Sequence, residues 1–541
     1  MFQLNSITRI LQLVLVLVLQ LLACRAEFYS STSGLEQLFR TEIVLLDELQ
    51  NYVNEITQHA EALQSEIDAI RVEHLSAMDS IGSYLNNPVN AFRLIKRLHS
   101  DWETFESSVK GDTSRADYLE AMAELRENLS YPSQDDFVGS AIALTRLQQT
   151  YQLDVAELAS GMLNGVKYGT AMSWQDCFVL GQHLYALRDY NHTVPWLQQS
   201  MQLLGEQSYG EESASLDFME AVVGYHQQMG DHENALNLVN HVLAVEPEER
   251  RHLEETRTQL EDLITDGVKQ GLLHTTARRP GDYHSSREFR MYEQVCRGEL
   301  APSAAAQRHL RCRLQRSRFG YAPFKLEELH ADPPVVQLHD TVSQRESLFL
   351  QNAARPRIQR STVYNQASSG ATAAAFRTSQ GASFNYSRYR TTQRLSQHVA
   401  DLSGLDMDYA ENLQIANYGI GGHYEPHWDS FPEHHVYPED DRHGNRLATA
   451  IYYLSDVEAG GGTAFPFLPL LVTPERGSLL FWYNLHPSGD QDYRTKHAAC
   501  PVLQGSKWIA NVWIRERNQD RVRPCDLQRN HLSSLHFKNF D

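Results

Sequence analysis

The hydrophobic pattern of this 541-residue chain changes its period at Pro333-Pro334. Before these prolines, apolar residues recur every three or four positions, as they do in amphipathic helices; after them, short apolar runs such as 335–338 are typical of β-strands. A chain of this length exceeds what one hydrophobic core organises, so we expect several domains. The sequence therefore predicts a multidomain protein with an α-helical N-terminal half and a β-rich C-terminal domain.

Residues 1–26 have the pattern of a secretory signal peptide. Arg9 precedes an apolar run over 10–22, which is too short to span a bilayer comfortably, and small residues flank Arg25. We expect cleavage after Ala26, with an uncleaved anchor as the alternative, and no membrane segment in the mature chain. The formal net charge of −20 argues against general affinity for nucleic acid. Three N-x-S/T sequons are candidate glycosylation sites: Asn128, Asn191 and Asn385.

The cysteines of the mature chain are Cys177, Cys296, Cys312, Cys500 and Cys525. None is in a C-x-x-C pair, which argues against a cysteine zinc site or a thioredoxin-like redox motif. In an oxidising lumen we expect local disulfides between Cys296 and Cys312 and between Cys500 and Cys525. Cys177 then remains as a buried free thiol.

Residues 27–165 are predicted to be a helical, coiled-coil dimerisation region. Its apolar residues repeat at spacings of three, four or seven, as follows: Leu45, Leu49, Tyr52, Ile56, Leu63, Ile67 and Ile70. This repeat indicates the seam of a coiled coil or of a long helical hairpin, although His59 and Glu66 interrupt it. An ordinary amphipathic helix in a bundle is the alternative.

Residues 166–265 resemble two tetratricopeptide-like pairs of helices. The second pair is the clearer, with Gly230-Asp231, Ala235 and Pro247 at the usual offsets for a turn, a tight helix contact and an exit. Two units are fewer than a self-standing solenoid prefers, so flanking helices should complete the core. Four aromatic residues are candidates either for a groove that binds an extended, proline-rich peptide or for helix packing: Tyr185, Tyr190, Trp196 and Tyr225. We assign 266–335 to a linker region with a local disulfide, 336–525 to the β-rich domain and 526–541 to a tail.

A candidate metal site lies in the β-rich domain. His427 and Asp429 are two residues apart, so their side chains share one face of a strand. His497 from a distant strand would complete a facial triad of two histidines and one carboxylate, which suits non-haem Fe(II) oxygen chemistry. The H-x-D spacing alone is weak, since it often arises by chance. We predict these three residues as metal ligands and as catalytic residues.

Lys507 is the candidate ligand for an organic anion. It begins a predicted strand on which alternate positions share a face, namely Lys507, Ile509, Asn511 and Trp513. An inward-facing lysine near a metal is costly unless it meets an anion. The distal carboxylate of 2-oxoglutarate would be that anion, while its keto acid end chelates the iron.

Several motifs resemble those of collagen prolyl 4-hydroxylase α subunits. In the β-rich domain they are Tyr418-Gly-Ile-Gly-Gly-His-Tyr-Glu-Pro-His-Trp-Asp429, Gly444-Asn-Arg446, Gly460-Gly-Gly-Thr-Ala-Phe-Pro466, Phe481-Trp-Tyr-Asn-Leu485 and His497-Ala-Ala-Cys-Pro-Val-Leu503. The segment 86–98 and the helical pairs after Trp174 resemble the N-terminal and peptide-substrate-binding regions of the same subunits. The resemblance covers nearly the whole mature chain. Two positions depart from it, since His423 stands where the family usually has glutamine and Trp428 where phenylalanine or tyrosine is common.

The resemblance implies a double-stranded β-helix (jelly-roll) dioxygenase domain that converts peptidyl proline to 4-hydroxyproline in collagen-like chains. The reaction would use Fe(II), O2 and 2-oxoglutarate, release succinate and CO2, and need ascorbate to rescue oxidised iron. Tyr418 would bind the 2-oxoglutarate carboxylate beside Lys507. Trp513 would lie near the cofactor and the peptide, with Tyr424 and Arg446 also near the peptide. The same two disulfides are implied, as is an α2β2 tetramer in the endoplasmic reticulum lumen with protein disulfide isomerase as the β subunit.

Two other hypotheses remain open from the sequence. One is a related oxygenase that acts on other residues or at C3 of proline. The other is a non-catalytic scaffold, which the intact set of three metal ligands and Lys507 argues against.

Overall fold

The computed structural model of the protein describes residues 32–55, 60–78, 80–108, 115–129, 131–163, 165–167, 169–207, 212–246, 248, 250–265, 283–316, 323–365, 370–373, 376–431 and 443–526. The expected signal peptide and nearly all of the expected tail lie outside these ranges. Among the described helices, none is long and apolar enough to cross a membrane. Contacts divide the chain into two compact units: 42–129 with 137–300, and 301–526 with 32–41 and 131–136.

The N-terminal region is helical, as predicted. Its helices are α1 (Thr32–Glu55), α2 (Ala60–Met78), α3 (Ile81–Leu85), α4 (Pro88–Lys96), α5 (Trp102–Ser108), α6 (Arg115–Asn128), α7 (Gln134–Tyr151) and α8 (Val155–Ala159), with a π-helical turn at Arg97–Asp101 and two short strands, β1 (Met162–Leu163) and β2 (Val166–Lys167). Local chemistry sets the start of α4, because Asn87 Oδ1 accepts a hydrogen bond from Val89 N at 2.8 Å and Pro88 occupies the first turn.

The predicted seam of α1 and α2 is buried within the single chain. Five residues of the pattern are buried: Leu45, Leu49, Tyr52, Ile67 and Ile70. Leu63 is half-buried, and position 56 lies outside the described residues. The pattern is therefore satisfied by packing inside one chain, as in the bundle alternative. Dimerisation through this region stays a prediction.

The next helices form two antiparallel pairs and one further helix: α9 (Trp174–Ala186), α10 (Tyr190–Gln207), α11 (Glu212–Met229), α12 (His232–Val245) and α13 (Leu253–Thr265). Gly181 allows α9 and α10 to pack closely, because a Cβ there would lie 2.8 Å from Leu197 Cδ2. Gly230 adopts φ +77° in the turn after α11, a conformation that favours glycine. Leu253 and Leu260 of α13 join the core of the second pair. The prediction that a flanking helix completes the core is thus confirmed.

The C-terminal unit is built from β-strands with a few helices. Its helices are α15 (Ala304–Gln307), α16 (Gln344–Ala354) and α17 (Arg390–Ser403), whereas α14 (Arg287–Cys296) belongs to the helical unit. The strands are β3 (Cys312–Gln315), β4 (Phe324–Ala331), β5 (Pro334–His339), β6 (Gln359–Arg360), β7 (Thr362–Asn365), β8 (Gly370–Ala373), β9 (Gln380–Phe384), β10 (Leu413–Tyr418), β11 (Tyr424–His427), β12 (Arg446–Tyr453), β13 (Ala459–Gly460), β14 (Thr463–Phe465), β15 (Leu470–Val472), β16 (Leu479–Tyr483), β17 (His497–Ala499), β18 (Val502–Gln504) and β19 (Lys507–Arg515).

Two main sheets make this domain. The larger has nine strands in the order β3-β4-β5-β16-β12-β19-β10-β9-β6, and the smaller has four in the order β11-β17-β14-β15. Two further pairs, β13-β18 and β7-β8, are separate ribbons. One buried cluster packs α16 and α17 against one face of the large sheet, and a second contains residues of both sheets, such as Ile451, Phe465 and Ala499. This arrangement is the jelly-roll type of fold that the motifs imply.

The predicted domain boundary at residue 336 is wrong. Strands β3 and β4 lie within the expected linker 266–335, yet they belong to the nine-stranded sheet. β3 pairs with β4, and β4 pairs with β5. β4 lies between the edge strand β3 and β5, and Leu326 is its one buried residue. Its sequence therefore lacks the apolar run that identifies β5.

The cysteine pairing also differs from the prediction. Cys312 and Cys525, one member of each predicted local pair, are exposed free thiols. Neither predicted local pair is formed, because Cys312 points to solvent from the edge strand β3 and Cys525 from the segment after β19. Proximity along the chain does not bring two Cα atoms to the roughly 4.4–6.8 Å that a disulfide requires. Cys177 is a buried free thiol, as predicted.

Candidate active site

Two strands of the smaller sheet bring the candidate metal ligands together. β11 ends at His427 and β17 begins at His497, and the two histidines are partners across the antiparallel ladder. Asp429 follows β11, and one ligand atom from each of the three residues lies within 4.8 Å of the others. Within the described ranges, this is the one group of three or more His, Cys, Asp or Glu side chains arranged so that it could hold a metal ion.

Backbone carbonyls fix both imidazoles in the tautomer that a metal ligand needs. His427 Nδ1 lies 2.8 Å from Glu425 O, and His497 Nδ1 lies 3.1 Å from Thr495 O. Because a carbonyl oxygen only accepts, each Nδ1 carries the hydrogen and each Nε2 keeps its lone pair. Burial lowers the pKa of His427 to about 3 and also lowers the pKa of His497. Both rings are therefore neutral at physiological pH.

The carboxylate of Asp429 completes the group. Burial alone would raise the pKa of Asp429, but His497 and His427 hold it below its ordinary value. Its Oδ2 lies 3.4 Å from His497 Nε2 and its Oδ1 lies 3.9 Å from His427 Nε2. Thr449 Oγ1 donates to Oδ2 at 2.7 Å. Two neutral imidazoles and one ionised carboxylate are the donor set of non-haem Fe(II) sites.

Lys507 is buried beside this group. It is the first residue of β19, is 1% exposed and pairs in register with Tyr418 of β10. Its Nζ lies 3.5 Å from Thr463 Oγ1, and among the described residues no carboxylate forms an ion pair with it. Burial lowers the pKa of Lys507 to about 7. A buried amine without a counter-ion is stabilised in its charged form when an anion binds next to it.

One open pocket is lined by both the triad and Lys507. The predicted site residues that line it are Tyr418, Tyr424, His427, Asp429, His497, Lys507 and Trp513. Ile509 and Asn511 line it as well, so alternate residues of β19 share one face, as predicted from strand parity. The pocket therefore has the candidate metal site and an ammonium group on its wall.

Arg446 lies behind the pocket wall rather than on it. Its Nε and Nη2 donate to the two oxygens of Glu411 at 2.6 and 2.8 Å, and its guanidinium packs 3.9 Å from the centre of the Trp513 ring. Arg446 thus supports Trp513 from its pairing with Glu411, and its predicted contact with a peptide stays a prediction.

Comparison with known proteins shows relatives along the whole chain. Three family models match: the prolyl 4-hydroxylase α-subunit N-terminal region over 31–165, the prolyl 4-hydroxylase peptide-substrate-binding domain over 174–266, and the 2OG-Fe(II) oxygenase superfamily over 413–515. The chain is 35% identical over 537 residues to prolyl 4-hydroxylase subunit alpha-1 of Rattus norvegicus, which covers 95% of this chain and 98% of the rat chain. The corresponding protein of Caenorhabditis elegans is 30% identical over 516 residues, covering 93% and 91%. The chain belongs to the prolyl 4-hydroxylase α-subunit family.

Membership establishes the type of reaction. The chain is an Fe(II)- and 2-oxoglutarate-dependent prolyl hydroxylase, and it contains the peptide-substrate-binding domain of its family. The predictions of the fold class and of the reaction are confirmed.

The aromatic residues predicted for this α subunit's peptide groove separate into two groups. Tyr185 and Tyr225 are half-buried on α9 and α11, with ring centres 5.0 Å apart, and Tyr190 packs 5.4 Å from Tyr185. Trp196 is 0% exposed, and its Nε1 donates to Gln148 Oε1 at 3.1 Å. The prediction that Trp196 contacts a peptide is therefore wrong, because helix packing encloses it fully.

Arg377 is a pocket residue that the sequence did not reveal. It is buried, its Nη2 donates to Gln414 Oε1 at 3.0 Å, and its guanidinium packs 4.9 Å from the centre of the Tyr424 ring. Burial raises the pKa of Tyr418, while Arg377 opposes that shift. No motif surrounds Arg377 in the sequence. Asn511, by contrast, could have been proposed from its parity with Lys507.

The two departures from the family pattern leave the triad intact. His423 is buried, with its Nδ1 2.7 Å from Thr378 Oγ1, and so has a structural partner. Trp428 Nε1 donates to Tyr493 O at 3.1 Å, which ties β11 to the turn that precedes β17. Two other histidines of the sequence, at positions 434 and 435, lie outside the described residues.

Proposed function

We propose that this α subunit hydroxylates C4 of peptidyl proline in collagen-like chains, with Fe(II) held by His427, Asp429 and His497 and 2-oxoglutarate held by Lys507. The observation that carries the assignment is one pocket lined both by two neutral imidazoles with an ionised carboxylate and by a buried lysine that has no carboxylate partner among the described residues. Bound Fe(II) would supply the activation of O2 that organic side chains do not provide.

The protein's own groups would bind and orient the reactants. Lys507 would form a charge-assisted hydrogen bond with the distal carboxylate of 2-oxoglutarate. Tyr418, its partner on the neighbouring strand and a residue of the pocket wall, would assist through its hydroxyl. Trp513 and Tyr424 would flank the peptidyl proline at the pocket wall and exclude water from the reacting carbon. The half-buried Tyr185 and Tyr225 would contact a proline-rich segment of the chain being modified, as amphipathic aromatics do in other proline-rich peptide grooves.

The test of the metal site compares His427→Ala with His339→Ala. His339 serves as the control because it lies in the same domain and pairs with Glu327 and Glu475 instead of lining the pocket. The subunit, co-expressed with a disulfide isomerase, is assayed for bound Fe(II) and for the mass increase of a (Pro-Pro-Gly)-repeat peptide. We expect His427→Ala to lose both and His339→Ala to keep both; turnover by His427→Ala would overturn the triad.

Fragmentation mass spectrometry of the same peptide tests the regiochemistry. Hydroxylation at C4 supports the proposal, whereas hydroxylation at C3, or on a residue other than proline, supports the related-oxygenase hypothesis. A protein that binds the peptide but no iron would support the scaffold hypothesis instead.

We also propose the setting of the enzyme. The signal-like N-terminus and three exposed sequon asparagines, Asn128, Asn191 and Asn385, support residence in the endoplasmic reticulum lumen. Membership in the α-subunit family supports assembly with protein disulfide isomerase into an α2β2 tetramer and a need for ascorbate. Co-purification with a tagged disulfide isomerase, followed by the peptide assay with and without ascorbate, tests these proposals. Treatment of the purified subunit with an N-glycosidase tests the three glycosylation sites.

A further inference from the structure

Three consecutive hydrogen bonds lead from the interior of the β domain to Asp429. Trp482 Nε1 donates to Asn484 Oδ1 at 2.9 Å, Asn484 Nδ2 donates to Thr449 Oγ1 at 2.9 Å, and Thr449 Oγ1 donates to Asp429 Oδ2 at 2.7 Å. All four residues are buried. We call Trp482, Asn484 and Thr449 the aspartate relay.

The chemistry of the first donor sets the direction of the whole relay. An indole N–H can only donate, so the group it meets on Asn484 must be the carbonyl oxygen. That choice turns the amide nitrogen of Asn484 towards Thr449, where it donates to the hydroxyl oxygen. A hydroxyl carries one hydrogen, and with Asn484 acting as a donor this hydrogen is directed to Asp429. Each of the three hydrogen bonds can therefore form in one direction only, from Trp482 towards Asp429.

The relay is held on rigid elements. Thr449 of β12 and Trp482 of β16 are direct partners in the antiparallel ladder, and Asn484 N donates to Leu447 O at 2.8 Å just beyond the end of β16. The indole of Trp482 also packs with its ring centre 4.7 Å from that of His497. The same buried tryptophan thus contacts one candidate metal ligand and begins the hydrogen-bond chain to another.

Because of the relay, the two carboxylate oxygens of Asp429 differ in their hydrogen bonding. Oδ2 accepts the hydrogen bond from Thr449, whereas Oδ1 has no hydrogen bond among the described residues and is 3.9 Å from His427 Nε2. We propose that Trp482, Asn484 and Thr449 are positioning residues that hold the Asp429 carboxylate in one rotamer and limit it to one metal-ligand oxygen. A carboxylate that bound through both oxygens would occupy a coordination position needed by the co-substrate. This proposal rests on the metal-site assignment above.

The test uses Thr449→Val, which keeps the shape and removes the hydroxyl, and Thr449→Ser, which restores it. Outer partners of metal ligands typically contribute about 10–100-fold to metal affinity. We expect Thr449→Val to weaken Fe(II) binding in that range and to change the visible spectrum of the Co(II)-loaded protein, and Thr449→Ser to return both towards the native values. Thr341→Val is the matched control, because its buried hydroxyl donates to Gly477 O at 2.8 Å and not to the site.

A second variant tests the direction of the relay. Asn484→Asp is isosteric and can still accept from Trp482, but it has lost the amide donor and competes for the hydroxyl hydrogen of Thr449. It should weaken Fe(II) binding in the native background and have little further effect in Thr449→Val, because the two residues act through one hydrogen bond. Native Fe(II) affinity and an unchanged Co(II) spectrum in Thr449→Val would overturn the relay. Failure of the native protein to bind Fe(II) would instead overturn the proposed metal site.

Discussion

The charge of Lys507 should depend on whether 2-oxoglutarate is bound. In the free protein, burial lowers the pKa of Lys507 to about 7. A carboxylate placed against the amine favours its charged form and raises the pKa again. Binding of the dianion above neutral pH must therefore be accompanied by uptake of a proton.

The size of this uptake follows from the pKa. With a pKa of about 7, roughly one-tenth of the free amines are protonated at pH 8 and roughly nine-tenths at pH 6. We expect about 0.9 proton taken up per 2-oxoglutarate at pH 8 and about 0.1 at pH 6. The affinity for 2-oxoglutarate should accordingly be about tenfold weaker at pH 8 than at pH 6.

Isothermal titration calorimetry in buffers of different ionisation enthalpy measures the proton count directly. The protein is first loaded with Mn(II), so that the histidine ligands no longer titrate. Lys507→Arg should abolish the uptake, because a guanidinium stays protonated throughout this range. Lys325→Met, which removes an exposed lysine paired with Asp340, is the control and should behave as the native protein. An uptake below about 0.3 proton at pH 8, or an equal uptake by Lys507→Arg, would refute the reasoning.

Three further predictions concern the helical unit. Trp196→Ala should lower the free energy of unfolding by about 3–5 kcal/mol in chemical denaturation, because the side chain is fully buried; a change below about 1 kcal/mol would contradict that packing. Tyr185→Ala, at a half-buried position, should instead weaken binding of a proline-rich peptide in a fluorescence titration while changing stability much less, and unchanged binding would remove it from the groove. Burial would raise the pKa of Glu42, but Arg97 holds it at about 2, so its stabilising effect should be complete above pH 4.5 and be lost as the pH falls towards 2. This loss is worth about 3 kcal/mol, and Glu42→Gln should flatten the dependence; a native pH dependence in that variant would assign it to other groups.

Local patterns predicted the parts of the site that depend on local geometry. The face shared by Lys507, Ile509, Asn511 and Trp513 follows from the two-residue period of a strand, which holds wherever the strand lies. The tetratricopeptide-like turn after α11 was predictable for the same reason, because Gly230 stands where the backbone adopts a positive φ. The spacing of His427 and Asp429 likewise indicated a shared side, although chance occurrences of that spacing are common.

Contacts between distant segments could not be predicted in this way. Cys312 is near Cys296 in sequence, yet it faces solvent from an edge strand. Trp196 and Tyr185 look alike in sequence, as aromatic residues of the same helical pair. Only the structure shows that Trp196 of α10 is fully buried and donates a hydrogen bond to Gln148 of α7. No sequence motif indicated Arg377 as a pocket residue. An isolated antiparallel β-bridge to Tyr424 of β11 holds Arg377 beside the pocket, and such a pairing is not visible in the sequence.

For the active site, the sequence by itself determined the set of chemical groups: two imidazoles, one carboxylate and one lysine, in motifs specific enough to indicate the family. The tertiary structure decided their states, since burial and partners from other strands set the imidazole tautomers, the lowered pKa of Lys507 and the direction of the hydrogen bonds to Asp429. The physical reason is that side-chain identity and strand parity are local, whereas desolvation and hydrogen-bond direction depend on every group that the fold packs around a residue.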